Sequence, residues 1–239
     1  MTTEQKPLEG YSIQFATPCG NATYEREYVK SFHNTACVLI ELGAKIDWAE
    51  FPGCADLGLA RARIFSNFLR SQHTHLMLID DDMGWHYDDV IRLVLAEKDF
   101  VGAAGRKKMQ KLEFAVNNCD EKGNILPLVS DENGLIECTE LGAAFVLLSR
   151  NCAEKMAAAY PELQFDGENG AIEYALYDSM IVGEAPKRRH LSEDFAFCCR
   201  WRRIGGKIYV LPDVTLEHVG RAVWTGAFIQ SLQGSTTSG

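Results

Sequence analysis

Residues 75–85 read HLMLIDDDMGW: an apolar run, Leu76 to Ile79, behind His75, passes straight into Asp80, Asp81 and Asp82. A continuous apolar run of this length fits a strand buried on both faces, as inside a parallel sheet. Three adjacent carboxylates repel one another, so the end of such a strand needs compensating positive charge. A bound divalent cation is the leading candidate. An acidic turn or helix cap is the alternative that the tripeptide alone leaves open.

The flanking sequence sets the fold class. YSIQFATP (11–18) reads as a first strand ending at Pro18. Residues 24–42 read as a helix, with Val29, Phe32, Ala36, Leu39 and Ile40 near helical spacing and Gly43 as its stop. AKIDWAEF (44–51) reads as the second strand, and 57–71 as a helix with Leu59, Ala62, Phe65 and Leu69 on one face. The strand before the aspartates is the third, 86–98 a further helix, and FVGAAG (100–105) a fourth strand. This alternation predicts an α/β protein with a Rossmann-like, mostly parallel central sheet flanked by helices. Ligands of such sheets bind at the carboxyl ends of the strands, where Asp80–Asp82 lie.

Beyond Lys111 the expected strands shorten: LEFAV (112–116), GNILPLV (123–129) and GLIECTELGAAFVLLS (134–149), with turns at 121–124 and 131–134. A helix is expected over 150–160, an irregular, mobile loop over 161–191, a buried helix over 192–206 and a strand over 207–212. One domain is expected over 11–230, between a flexible segment 1–10 and a disordered tail 231–239.

Composition narrows the partners. The net charge of −9 argues against a protein-wide attraction to polyanions. Basic residues nevertheless cluster in GRKKMQK (105–111) and PKRRH (186–190), which allows local phosphate contacts. No apolar run is long enough to span a bilayer, and the polar start MTTEQKPLEG lacks a secretion pattern, so a cytoplasmic location is expected. The eight cysteines form no CxxC pair and read as free, mostly buried thiols.

Three stretches carry candidate chemistry. If extended geometry persists to Asp82, Asp80 and Asp82 share a side and Asp81 points away. Two carboxylates so placed hold a divalent cation and leave positions for water or phosphate oxygens. In LSEDFAFCCRW (191–201), Ser192 suits an N-cap, with Glu193 and Asp194 in the first helical turn. That helix is apolar on most sides, so its acidic start faces a cavity or interface; helix capping is the plainer reading. In LEHVG (216–220), His218 ends a predicted strand that would return to the centre of the sheet.

A buried strand ending in D-x-D, with Met83 and Trp85 soon after, resembles the metal motif of GT-A fold glycosyltransferases. LARARIFSNFLRSQHTHLMLIDDDM resembles the stretch of family-2-type members in which an Arg-bearing helix leads into that strand. The set ARAR…LIDDDM…LSEDFAFCCRW looks like the compact enzymes of bacteriophages and bacteria. The resemblance implies that Arg63 and Arg61 lie near the donor nucleotide or the first aspartate, and that Ala16, Thr17 and Pro18 of FATP cradle the base. It makes Asp80 a contact of ribose or metal, Asp82 a direct metal ligand and His218 the third ligand. Asp81, acidic where many relatives are not, leaves open which aspartate pair binds the metal. Mn²⁺ suits such a mixed oxygen and nitrogen set better than Mg²⁺. Asp194 becomes the catalytic base, with Glu193 a lesser candidate, and Gly142 and Ala143 line the acceptor side.

The implied reaction moves a sugar from a nucleotide donor, UDP-sugar foremost, to an acceptor hydroxyl with inversion, in a bacterial or phage-infected cell. The acceptor is either a hydroxymethylated base of phage DNA or a saccharide or surface glycan. A non-catalytic nucleotide- or metal-binding protein is the alternative of another class. A nucleotidyltransferase ranks low, because TPCGNATYER holds a single glycine where a Gly-rich signature belongs.

Overall fold

A computed structural model of the protein describes residues 6–220 and 222–233. The chain runs β1 (Ser12–Cys19), α1 (Arg26–Glu41), β2 (Lys45–Pro52), α2 (Leu57–Arg70), β3 (His75–Ile79), β4 (Met83–Gly84), α3 (Tyr87–Leu95) and β5 (Phe100–Gly102). It continues through β6 (Val116–Asn117), β7 (Ile136–Cys138), β8 (Glu140–Leu141), β9 (Phe145–Ser149), α4 (Arg150–Ala159), β10 (Gln164–Asp166) and β11 (Ile172–Tyr174). The last elements are β12 (Met180–Val182), β13 (Arg189–Leu191), α5 (Glu193–Arg203), β14 (Ile208–Val210), β15 (Thr215–His218), β16 (Trp224–Ala227) and α6 (Ile229–Gln233).

Seven strands form the central sheet in the order β2-β1-β3-β9-β5-β14-β7. Successive residues of its inner strands enter different cores, which is why they read as unbroken apolar runs. Leu76 and Leu78 pack with Phe65 and Phe68 of α2, Met156 of α4 and Phe197 of α5. Met77 and Ile79 pack instead with Tyr28 and Leu39 of α1 and Val90 and Leu93 of α3. Val146 and Leu148 join the first group, Phe145 and Leu147 the second. The helices thus cover both faces, as expected.

Local signals place the helix ends. The Asp56 side chain accepts from the Leu59 amide at 3.1 Å and caps α2. His86 and Asp89 form a reciprocal capping box on α3. Gly43, at φ +99°, turns the chain out of α1 in the left-handed region open to glycine.

Several expectations are corrected. The sheet is mixed: β9 runs antiparallel to both β3 and β5, because the chain re-enters the sheet at Phe145 from the end where it left at Gly102. GNILPLV makes only isolated bridges, at Ile125 and at Ser130 just beyond it; Pro127 has no N–H to give a ladder, and Ile125 stays 90% exposed. Residues 161–191 are not irregular throughout but hold two short antiparallel pairs, β10–β11 and β12–β13. Three-residue strands carry too few alternations to show as a period. The strand ending in His218 does not return to the main sheet; β15 pairs with β4 and β16 in a separate three-stranded sheet.

At the N-terminus, Leu8 is fully buried and its amide bonds the Leu42 carbonyl at 2.9 Å, so residues 6–10 dock on the body instead of hanging free. The remainder of the expected flexible start, 1–5, and 234–239 of the expected tail lie outside the described residues; 231–233 belong to α6. Six cysteines are buried, Cys54 is partly so and Cys37 is exposed, all as free thiols. Among the described residues no helix is long and apolar enough to cross a membrane.

β5 and β9 approach so closely that a Cβ on Gly102 would stand 2.5 Å from the Phe145 carbonyl oxygen. Backbone on both sides leaves little room to yield. Gly102→Ala is expected to cost about 1–3 kcal/mol, read as a lowered midpoint in urea denaturation with an unchanged m-value.

Candidate active site

From β1 the chain moves outward to β2, and from β3 it moves the other way, through α3 to β5. The crevice between the carboxyl ends of β1 and β3 is therefore a topological switch point, and Asp80–Asp82 stand there. Three distant segments hold their backbone. The Asp80 amide bonds the Ala144 carbonyl at 3.2 Å, Glu25 donates to the Asp81 carbonyl at 2.9 Å, and Val219 donates to that of Asp82 at 2.8 Å. A turn closed by the Met83 amide on the Asp80 carbonyl ends the extended geometry at Ile79, so simple alternation does not set the side-chain directions.

Each aspartate meets a different environment. Asp80 receives Arg61 at 3.0 Å, and the same guanidinium reaches Glu193 at 2.6 Å. Arg61 is only 2% exposed. Burial opposes its charge, but Asp80, Glu193 and Asp194 together hold its pKa above the ordinary value. Arg63 lies elsewhere, against Glu168 at 2.7 Å and Glu173 at 3.8 Å. Two residues along a helix turn about 200°, so one of the pair faces the sheet and the other the β10–β11 hairpin.

Asp82 ion-pairs through Oδ2 with Lys108, while its Oδ1 faces His218 Nε2 at 3.4 Å. Burial would raise the Asp82 pKa, yet these two partners hold it below the ordinary value. His218 is held above its ordinary value: burial works against its charge, and the Asp82 carboxylate 3.4 Å away and the bond to the Arg106 carbonyl prevail. Asp81 lacks such a partner. Burial pushes its pKa up and the charges of Asp82 and Asp80 add to this, against a bond from Cys19. The repulsion among the three carboxylates is thus relieved by two protein cations and one histidine.

Asp194 opens α5. The Ser192 hydroxyl donates to Asp194 Oδ1 instead of capping the helix, and the Phe195 amide donates to the same oxygen at 2.7 Å. Oδ2 is turned to Gly142, where a Cβ would stand 3.3 Å from it. That Cβ would also stand 2.8 Å from Ala115 Cβ, so glycine is what fits between Ala115 and the carboxylate. Ala143 is buried beside it. Glu193 is engaged by Arg61. Ala16, Thr17 and Pro18 are buried in β1, which continues to Cys19. The Thr17 hydroxyl bonds that of Tyr28 at 2.6 Å, and burial pushes Tyr28 up to about 12. Thr17 therefore packs beneath the crevice.

One ion pair escaped the sequence reading. Glu140, buried, takes a forked contact from Arg189 at 2.8 and 3.0 Å and a bond from Asn117 at 2.8 Å. It ties the strand leading to Gly142 to the strand leading to Asp194. Nothing in GLIECTEL (134–141) singles Glu140 out from Glu137, which is exposed, so the pairing was not legible in the sequence.

Whether these side chains suit a cation follows from their free atoms. Among the described residues, no three His, Cys, Asp or Glu groups converge as a ready site. Asp80 is engaged by Arg61. Asp82 Oδ1, however, is buried without a hydrogen-bond donor, and His218 donates from Nδ1 to the Arg106 carbonyl at 2.7 Å. That bond leaves Nε2 as the nitrogen with a lone pair to offer, an arrangement also found where a histidine binds a metal. The pair fits a cation held at two points, with other positions left to phosphate and water. A groove of about 500 Å³ lined by Arg26, Lys30, Trp85 and Glu217 contains none of the three aspartates.

No family model matches the chain, and no curated protein matches it in sequence. Among solved structures it is similar to A197 from STIV, at 14% identity and a TM-score of 0.52, over 88% of this chain and 86% of that chain. It is also similar to HddC from Yersinia pseudotuberculosis, at 11% identity and a TM-score of 0.30, over 61% of this chain and 79% of that one; so loose a superposition carries no argument. The likeness to A197 shows the fold: an α/β protein with a mixed seven-strand sheet flanked by helices.

Arg61→Met would leave Asp80 and Glu193 facing each other without their shared cation. A loss of about 3–5 kcal/mol in chemical denaturation is expected. Arg61→Lys should recover only part of it, since an ammonium cannot fork to both carboxylates as a guanidinium does.

Proposed function

We propose that the protein is a metal-dependent glycosyltransferase that moves a sugar from a nucleotide donor, UDP-sugar foremost, to an acceptor hydroxyl with inversion. The observation that carries this reading is the Arg61 bridge at the switch point of the sheet, which ties Asp80, two residues before the Asp82–His218 pair, to Glu193, next to Asp194. The sequence resemblance to the GT-A glycosyltransferases supplies the class, and the fold is compatible with it.

Asp82 and His218 would hold the cation. When bound, it acts as a Lewis acid toward the charge that grows on the departing diphosphate. Lys108, two residues from the His218-supporting Arg106 carbonyl, offers the leaving group a further positive charge. Asp194 Oδ2 takes the proton from the acceptor hydroxyl as that oxygen attacks the face opposite the leaving group. The Ser192 hydroxyl and the Phe195 amide fix Oδ1 and so aim Oδ2. Arg61 holds Asp80 and the first turn of α5 in one position, which sets the distance between donor and base.

The acceptor reading changes with the fold. In the 105–111 cluster, Arg106 donates to the Thr225 carbonyl, Lys107 and Lys111 pair with Glu113, and Lys108 pairs with Asp82. In the second cluster Arg189 is engaged by Glu140, while Lys187 and Arg188 remain exposed. Three carboxylates, those of Glu113, Asp82 and Glu140, thus stand among the seven cationic side chains of the two clusters and reduce the charge left for a polyanion, so we favour a saccharide hydroxyl as the acceptor over a hydroxymethylated DNA base.

Two measurements test the reading. In a thermal-shift screen, UDP with Mn²⁺ at ~100 times its Kd should stabilise the wild type by about 2.7 kcal/mol, roughly 5–10 °C for a chain of this size. Asp82→Asn should lose that shift, and absence of any nucleotide shift in the wild type would reduce the reading to a likeness of fold. Asp194→Asn should keep donor binding while transfer to a saccharide panel falls by at least about 10²-fold. Equal transfer by wild type and Asp194→Asn would remove Asp194 from the base role. Transfer to hydroxymethylated DNA and not to the saccharides would reverse the acceptor assignment.

A further inference from the structure

The loop that supports His218 also carries a cation of its own. Residues 105–115 fold back on themselves: the Ala115 amide bonds the Gly105 carbonyl at 3.0 Å, and Lys107 bonds the Glu113 carbonyl at 2.9 Å. At the base of this loop the Arg106 carbonyl accepts from His218 Nδ1. Toward its tip Lys108 places Nζ on Asp82 Oδ2, with its methylene stem over Gly220, where a Cβ would stand 3.2 Å from Lys108 Cδ. One short loop therefore fixes the ring of one metal-ligand candidate and neutralises the carboxylate of the other.

We propose that Lys108 is an exchangeable stand-in for the divalent cation: it neutralises Asp82 in the empty site and, when the cation enters with the donor, swings from Asp82 to the diphosphate. The inference rests on the glycosyltransferase reading above, and deepens it by giving one lysine two alternating partners. Three features support it. Asp82 keeps one oxygen, Oδ1, without a donor, so Lys108 compensates the charge without filling the coordination site. The lysine side chain is 36% exposed and ends a flexible stem, so it can leave at small cost, whereas Arg61 at Asp80 is buried and forked and cannot. And the diphosphate brings the negative charge that the departing ammonium needs, so the two steps favour each other. The exchange makes the empty site a poor trap for free cations and couples metal binding to the donor.

The test is Mn²⁺ binding, followed by the electron paramagnetic resonance of the free ion, with and without UDP. The proteins are wild type, Lys108→Gln and, as a control for general charge, Lys107→Gln. Lys108→Gln should bind Mn²⁺ alone about fivefold more tightly than wild type, and Mn²⁺ with UDP more weakly, while Lys107→Gln changes neither by more than about twofold. This reversal of sign is not what a merely structural lysine would produce. If wild type and Lys108→Gln bind Mn²⁺ equally in both conditions, the exchange is overturned and the metal reading stands. If neither protein binds Mn²⁺ even with UDP, the metal reading falls and the exchange with it.

Discussion

A single guanidinium, nearly sealed from solvent, holds together the two halves of the crevice. Arg61 comes from α2, on one face of the sheet, and bridges Asp80 at the end of β3 to Glu193 at the start of α5. The three residues are separated by up to 132 positions in the chain. Removing an arginine from water is costly, and the bridge offsets that cost only because both carboxylates meet it with good geometry. A rigid fork of this kind ties position to charge: where β3 ends, α5 must begin. Everything that bears on chemistry is hung from that constraint, including Asp194 one residue beyond Glu193 and Asp82 two residues beyond Asp80.

The acidic tripeptide poses a problem of electrostatics that the fold resolves unevenly. Asp80 is paired with a buried guanidinium and Asp82 with a half-exposed ammonium, while burial raises the proton affinity of Asp81. Three adjacent carboxylates thus sit in three different environments. This difference also bears on the metal. A site that needed all three aspartates would have to break the Arg61 bridge, whereas Asp82 with His218 asks only that Lys108 move.

Around Asp194 the geometry rests on a different buried pair. Glu140 and Arg189 join the strands that lead to Gly142 and to Asp194, and Gly142 packs closely between Ala115 and the Asp194 carboxylate. The basic clusters, which on sequence alone suggest a polyanionic partner, are partly paired within the chain, to Glu113, Asp82 and Glu140. Counting lysines and arginines measures total charge; which of them face solvent depends on the neighbours that the fold supplies.

The sequence by itself determined the class of the fold and the place of the acidic tripeptide in it. Apolar runs at strand spacing, amphipathic stretches between them and glycines at turns are local properties, and they correctly located β1, β2, β3 and β5, α1 to α5 and the aspartates at a strand's carboxyl end. Tertiary structure decided the rest. It reversed β9 within the sheet, built hairpins where 161–191 read as irregular, and took His218 to a separate small sheet beside β4. It separated Arg61 from Arg63, alike in sequence but on opposite sides of one helix, and gave Lys108 to Asp82 across the chain. Periodicity reports how a segment meets its surroundings in general, buried or wet. It carries no information on which distant residue lies opposite, and electrostatic function is a property of those pairs.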